Sequence, residues 1–263
     1  MGLENLIPRF NSLSRKSSSS SSDGFRLMSG RKKLSDRSSA GWAVRFGLKY
    51  FGFPDEKIWS IAGARGREFL LEAWRVSGPA IYQMPEYALR QEWFHGYSGF
   101  VHKRIPEEFY DAVGKRGDVF DWGCGTAEAE RDGWIDQGRT TILMDLPGPN
   151  LEYTKAKYRG YPVTVLSVGV DSIPYRYKGL ICIDVLEHLE RPIETMRFLW
   201  DHLKPGGFAT IWFDHSYPHP GHLKTSIAQV GAYDLWLQQN AIIHKRGIFD
   251  FVEKPRRWWQ VVC

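Results

Sequence analysis

Asp118-Val119-Phe120-Asp121-Trp122-Gly123-Cys124-Gly125-Thr126-Ala127 decides how the 263-residue chain is organised. It reads as a short buried strand that ends on an acid, turns on two glycines and opens a helix at Glu128. Glycines let a backbone approach closely, a helix N-terminus presents free N–H groups, and a strand-end carboxylate orients what binds beside it. These are the parts of a nucleotide-type site. The third glycine of G-x-G-x-x-G is missing, because Glu128 stands at its position. That disfavours a tightly packed pyrophosphate loop.

Downstream order and spacing strengthen the motif. Strands are predicted at 118–121, 141–145, 162–167, 179–184 and 207–213, with helices at 127–136, 149–157 and 192–203 between them. This alternation predicts an α/β fold, a doubly wound and mostly parallel sheet with right-handed crossovers. Pro192 sits in the first turn of the third helix, and Lys204-Pro205-Gly206-Gly207 stops it. A helix at 225–240 precedes predicted strands at 248–253 and 258–262. The turn Lys254-Pro255-Arg256-Arg257 would join those two as a hairpin, giving the sheet an antiparallel edge.

Acids recur at the predicted strand ends. Asp145 ends the second strand 24 residues after Asp121, where a carboxylate can accept both ribose hydroxyls. Asp171-Ser172-Ile173-Pro174 follows the third strand and Ile183-Asp184-Val185-Leu186-Glu187-His188 ends the fourth. Taken together with Leu203-Lys204-Pro205-Gly206-Gly207, this block resembles the class I S-adenosylmethionine-dependent methyltransferases, in particular the small-molecule branch that includes ubiquinone-biosynthesis O-methyltransferases. The resemblance covers residues 118–213. It implies a seven-stranded Rossmann-like sheet with its last strand antiparallel and S-adenosylmethionine at the carboxyl ends of the strands. By the same resemblance, Asp121, Gly123 and Gly125 line the methionine part of the cofactor, Asp145 holds the ribose and Leu146 lies beside the adenine. Asp171 and Ser172 meet the adenine, and Ile183 lies beside the methionine moiety.

Two clusters offer acid–base groups. Asp184, Glu187 and His188 form a D-x-x-E-H set, and an E-x-x-E-H set binds Mg²⁺ in some O-methyltransferases and small-RNA end methyltransferases that the block resembles. Here the first acid is the shorter Asp, and Leu-Glu-His also serves as a plain turn in metal-free relatives, so the expectation is no bound metal. Asp214-His215-Ser216-Tyr217-Pro218-His219-Pro220-Gly221-His222 follows the fifth strand, over the crevice of an open α/β sheet. His215 and His188 are the candidate catalytic bases, with Tyr217 beside them, and a solvated Pro-stiffened loop is the competing description.

Composition bounds the rest. Apolar residues make up 43% of the chain, enough for an ample core, and no apolar run reaches the length of a membrane span. The three cysteines, Cys124, Cys182 and Cys263, are scattered, which fits a reducing, cytoplasmic setting. Eight basic and three acidic residues fall in residues 1–40, which therefore carry the whole net charge of +5. With six consecutive serines, Ser17 to Ser22, that segment is expected to be a disordered tail, with organelle targeting or an acidic partner as other roles. Residues 41–117 are expected to form a helical, aromatic cap bearing Trp42, Trp59, Trp74 and Trp93, and residues 118–263 the cofactor-binding domain. The leading expectation is methyl transfer to a small-molecule acceptor. Methylation of RNA or protein with help from the basic tail, a nicotinamide oxidoreductase and a non-catalytic binding module are the alternatives.

Overall fold

Short apolar runs punctuated by glycine and acid build the strands β1 (Val119–Trp122), β2 (Thr141–Asp145), β3 (Val163–Ser167), β4 (Tyr177–Ile183), β5 (Leu203–Trp212), β6 (Ile242–Lys245) and β7 (Asp250–Glu253). The computed structural model describes residues 51–54, 61, 66–97, 105, 107–127, 135, 139–173, 176–216 and 221–256. The Ser-rich tail, the greater part of the 127–136 helix, the 258–262 strand and residues Trp42, Trp59, Tyr217 and Cys263 lie outside them. The strands form one sheet in the order β3-β2-β1-β4-β5-β7-β6. β1 to β5 pair in parallel, and β7 runs antiparallel to both β5 and β6. This is the doubly wound sheet with an antiparallel last strand that the sequence predicts.

The helices are α1 (Gly66–Ser77), α2 (Pro85–Tyr97), α3 (Glu107–Val113), α4 (Pro149–Lys157), α5 (Pro192–His202), the single turn α6 (Lys224–Ile227) and α7 (Val230–Asn240). Successive strand residues point to opposite faces. Phe120, Ile142, Met144, Leu180 and Cys182 join one core with Met196, Leu199 and Trp200 of α5 and Tyr233, Trp236 and Leu237 of α7. Their sequence neighbours Val119, Ile181 and Ile183 join a second core with Phe109 and Val113 of α3. Leu143 packs with Cys124, Ala127 and Tyr158 in a third. Both faces are buried, which is why residues 142–144 of β2 and 180–183 of β4 read as continuous apolar runs.

α3 lies so close to β4 that a side chain at Gly179 has no room. A Cβ there would sit 2.9 Å from Val113 Cγ2 and 3.0 Å from Phe109 Cζ. Gly179→Ala is expected to cost about 1–3 kcal/mol by overpacking, measured as a lower urea midpoint with an unchanged slope.

The hairpin differs from the sequence expectation. β7 pairs with β6, the segment before it, and its turn is Arg246-Gly247-Ile248-Phe249. Lys254 extends the pairing instead of turning: its N–H donates to Gly207 O at 2.8 Å and its carbonyl accepts Gly206 N at 2.7 Å. The predicted helix 225–240 is also broken, at Ala228-Gln229. Ser226 Oγ donates to Leu186 O at 2.6 Å, so α6 is drawn to the turn after β4 while α7 packs on the sheet.

Candidate active site

The crevice lies where the strand order reverses. The chain runs outward from β1 through β2 to β3, then returns to β4 on the other side of β1. Ligands of open α/β sheets bind at the carboxyl ends of the strands at such a switch point. Asp121, 4% exposed, stands at that end of β1. Gly123 follows with φ of 73°, and a Cβ on it would fall 2.3 Å from Val185 Cγ2 after β4. Only glycine satisfies both demands.

The glycine turn is fixed from two sides. Gly123 N and Cys124 N donate to Met144 O on β2, at 2.8 and 3.2 Å. From α4, Thr154 Oγ1 donates to Gly125 O at 2.9 Å and Lys157 Nζ to Thr126 O at 2.8 Å. Tyr158 Oη, just past the helix, donates to Ala127 O at 2.6 Å. Three consecutive carbonyls are thus held by residues i, i+3 and i+4 of one helical face. Lys157 is also paired with Glu92 of α2 at 2.9 Å, with both side chains sealed from solvent. Nothing in the local sequence announces these contacts, which span 29 to 65 residues.

Asp145 joins the turn to β2. Its Oδ2 accepts Gly125 N and its Oδ1 accepts Leu146 N, each at 2.6 Å. Burial lifts its carboxyl from 3.8 to about 6, and the two amide bonds pull it partway back. Leu146 packs against the main core, and Ile183 is buried at the end of β4. Asp171 and Ser172 are exposed beyond β3, where Asp171 Oδ2 accepts Ser167 N at 2.7 Å. The predicted cofactor residues Asp121, Gly123, Gly125, Asp145, Leu146 and Ile183 all fall at the carboxyl ends of β1, β2 and β4.

After β4, Asp184 adopts a left-handed φ of 57°, and the short turn Leu186–His188 follows. A non-glycine residue in that conformation is a local strain of the kind that functional loops keep. Glu187 is fully buried, and among the described residues no N–H or hydroxyl group donates to its oxygens. Burial, then the charge of Asp184, holds its carboxyl well above the usual carboxylate range. The Asp184 carboxyl can bond Glu187 only by sharing a proton with it. His188 Nδ1 lies 2.9 Å from Gly221 O and 3.4 Å from Tyr82 Oη. Tyr82 meets Tyr87 edge-on at 5.1 Å and Trp74 at 5.7 Å, so the helical segment before β1 puts an aromatic wall against His188. Burial keeps the Tyr82 hydroxyl protonated, reinforced by Tyr87, Asp145, Glu187 and Asp184.

The loop after β5 contributes a histidine other than the expected one. His215 is exposed, and its neighbour Asp214 is turned onto Ser216. His222 is buried instead and meets His188 edge-on at 5.2 Å. Glu187, His188 and His222 bring ligand atoms within 4.8 Å of one another. The metal candidates Asp184, Glu187 and His188 therefore gain a fourth neighbour that no local motif marks.

The strand order, the glycine turn and the two strand-end acids define the fold as the Rossmann-like sheet of the class I methyltransferases. No protein-family profile and no curated protein sequence matches the chain. Among solved structures it is similar to the O-methyltransferase NcsB1 from neocarzinostatin biosynthesis, crystallised with S-adenosylmethionine and 2-hydroxy-5-methyl naphthoic acid. That similarity has 16% identity and a TM-score of 0.48, and covers 76% of this chain and 72% of that one. An O-methyltransferase family protein from Burkholderia thailandensis shares 12% identity over 72% of this chain and 70% of its own, with a TM-score of 0.49. The CcbJ methyltransferase from Streptomyces caelestis shares 21% identity over 41% of this chain and 47% of its own, with a TM-score of 0.35.

Proposed function

We propose that the chain is an S-adenosylmethionine-dependent methyltransferase acting on the oxygen or nitrogen of a small-molecule acceptor. The observation that carries this is Asp145, a strand-end carboxylate bound to the amide of Gly125 in the turn that Asp121 opens. One acid thereby positions both the ribose side and the glycine side of a single pocket. Asp145 would accept the ribose hydroxyls, while Asp121, Gly123, Gly125 and Ile183 would line the amino-acid end. Leu146, Asp171 and Ser172 would border the adenine.

The donor's sulfonium supplies an electrophilic methyl group, so transfer is an in-line displacement. The protein's work is then alignment, worth about 7–11 kcal/mol in favourable cases. Gly123 and Gly125 keep side chains out of the donor's path, and the aromatic wall of Trp74, Tyr82 and Tyr87 would hold a flat acceptor and exclude water. His188, oriented through Nδ1 by the Gly221 carbonyl, would take the acceptor's proton at Nε2. The apolar, aromatic character of this wall favours a small molecule. The alternative of an RNA or protein acceptor rests on the basic tail, outside the described residues.

Titration calorimetry with the donor and with its demethylated product tests the reading. One equivalent of each is expected to bind per chain, and the absence of heat with both would overturn it. Transfer of a labelled methyl group into candidate acceptors separates an enzyme from a non-catalytic binding module.

A pH profile tests Asp145 itself. Product affinity is expected to be flat above about pH 7 and to fall about tenfold per unit below about pH 6, where the carboxyl protonates. Stability moves the other way. Because the folded value lies above the ordinary 3.8, the folded state takes up the proton first, so acidification from about 6 toward 3.8 relieves a buried charge. Opposite slopes for affinity and for unfolding in that window are the expected signature.

A further inference from the structure

The crevice occupies the carboxyl end of the parallel strands, and the other end of the sheet is basic. β1, β4 and β5 begin at that far end, and β7, antiparallel to β5, finishes there. Lys178 N and Gly179 N donate to Asp118 O at 3.1 and 2.9 Å, and Gly206 N donates to Lys254 O at 2.7 Å. Lys178 Nζ donates to Gly206 O, and Arg256 lies across Gly206, its Nε 2.8 Å from where a Cβ would stand. These contacts set the four chain segments side by side in one row.

Lys115, Arg116, Arg176, Lys204 and Arg256 are exposed along this row, with Lys178 and Lys254 half-buried among them. The acids of the same end are Asp118, Glu253 and, on α5, Asp201. Seven cations less three acids leave +4, in a stretch, 41–263, that sums to zero. Two of the three acids are engaged. Asp118 lies 3.7 Å from Lys204 Nζ, and Glu253 Oε2 lies 3.1 Å from His244 Nε2. Burial, then the charge of Arg256, holds the Lys178 ammonium below its ordinary value. Burial also lowers that of Lys254, which Asp201 opposes and Arg176 reinforces. Cations crowded against cations at a solvent face are relieved by an anionic partner.

We infer that this basic end docks the protein on an anionic phospholipid surface. The chain leaves the sheet here, and Arg256 is followed in the sequence by Arg257-Trp258-Trp259. Tryptophan favours the headgroup level of a bilayer. Each Lys or Arg near an anionic leaflet strengthens binding about fivefold. Cations drawn from four segments spread their charge over a face, which suits a plane of headgroups better than a single phosphate. Such docking needs no spanning helix, and among the described residues no helix is long and apolar enough to cross a membrane. Docked this way, the crevice faces water, and the contact is independent of the methyl-transfer reading. An RNA backbone is the competing polyanion.

The test uses the full, untagged chain, co-sedimented with phosphatidylcholine vesicles with and without about one-third phosphatidylserine. Binding to the anionic vesicles is expected to be at least about tenfold tighter at about 0.1 M salt. It is expected to fall away toward about 1 M, as the screening length shortens from about 10 Å to about 3 Å. Arg176→Glu combined with Arg256→Glu is expected to weaken vesicle binding at least about tenfold, with unchanged circular dichroism and product affinity. Trp258→Ala combined with Trp259→Ala is expected to weaken it at least about threefold. Arg31→Glu, Lys32→Glu and Lys33→Glu together, in the Ser-rich tail, are expected to stay within about threefold of the parent. Equal binding to both kinds of vesicle, or parental binding by the arginine or the tryptophan variant, overturns the docking surface. So does loss of binding in the tail variant alone, or capture of an RNA oligonucleotide without vesicle binding. Product calorimetry keeps the two proposals apart. Heat without vesicle binding sinks the docking surface alone, and vesicle binding without heat sinks the methyltransferase reading alone.

Discussion

Asp145→Ala is expected to lower affinity for S-adenosylmethionine and its demethylated product by about 100- to 1,000-fold, since each hydrogen bond to a charged group contributes about 1.5–3 kcal/mol. In the proposed pocket two ribose hydroxyls would join the Gly125 amide on this one carboxylate, and Ala supplies no acceptor for any of them. Asp145→Asn keeps an oxygen at the same reach and is expected to lose only about tenfold, the difference between a charged and a neutral acceptor. Asp145→Asn is expected to melt close to the parent, because it removes a charge that burial disfavours and keeps an acceptor, whereas Asp145→Ala also strands the amides of Gly125 and Leu146 and is expected to melt lower. Calorimetry alongside thermal melts checks both statements. Equal affinity in parent and Ala variant would remove Asp145 from the pocket, and with it the main support for the proposed activity.

Glu92→Ala is expected to produce the largest stability loss of any single change considered. It strands the Lys157 ammonium, which is sealed from solvent and lies 5.9 and 5.1 Å from the Tyr153 and Tyr158 ring centres. Breaking a buried pair from one side costs about 3–5 kcal/mol, or roughly 6–20 °C in melting temperature for a chain near this size. Glu92→Met combined with Lys157→Met is expected to recover most of that loss, as apolar replacements of buried ion pairs do. The double variant still lacks the donor to Thr126 O, so its product affinity is expected to stay below the parent's. Recovered stability with weakened binding would identify Lys157 as a positioning residue of the glycine turn. Full recovery of both would make the pair purely structural.

The parts legible in the sequence are those whose cause is local. α4 occupies residues 149–157, the range predicted, because Pro149 opens it, Glu152 stands in its first turn and Lys155 and Lys157 stand in its last. The glycine turn and Asp145 were marked by residue types that few other conformations need. The edge of the sheet departs from the sequence expectation for an equally local reason. Ile242-Ile243-His244-Lys245 is a four-residue edge strand, half exposed, whose mixed polarity gives no clear period. Lys254-Pro255 meanwhile resembles a turn, although the Lys204-Pro205-Gly206-Gly207 segment of β5 supplies its partners. His222 and the Glu92–Lys157 pair were invisible because each depends on segments 34 to 65 residues apart that only the sheet brings together. A polar residue buried by distant chain looks the same in a sequence as one in water.

The hold of α4 on Gly125, Thr126 and Ala127 constrains how the chain can vary. Inserting or deleting one residue between Asn150 and Thr154 would turn the rest of the helix by about 100°. Thr154, Lys157 and Tyr158 would swing away together, and all three carbonyls would lose their donors in one step. Length changes are therefore confined to the far end of the crossover, around Arg159-Gly160, where the backbone is exposed.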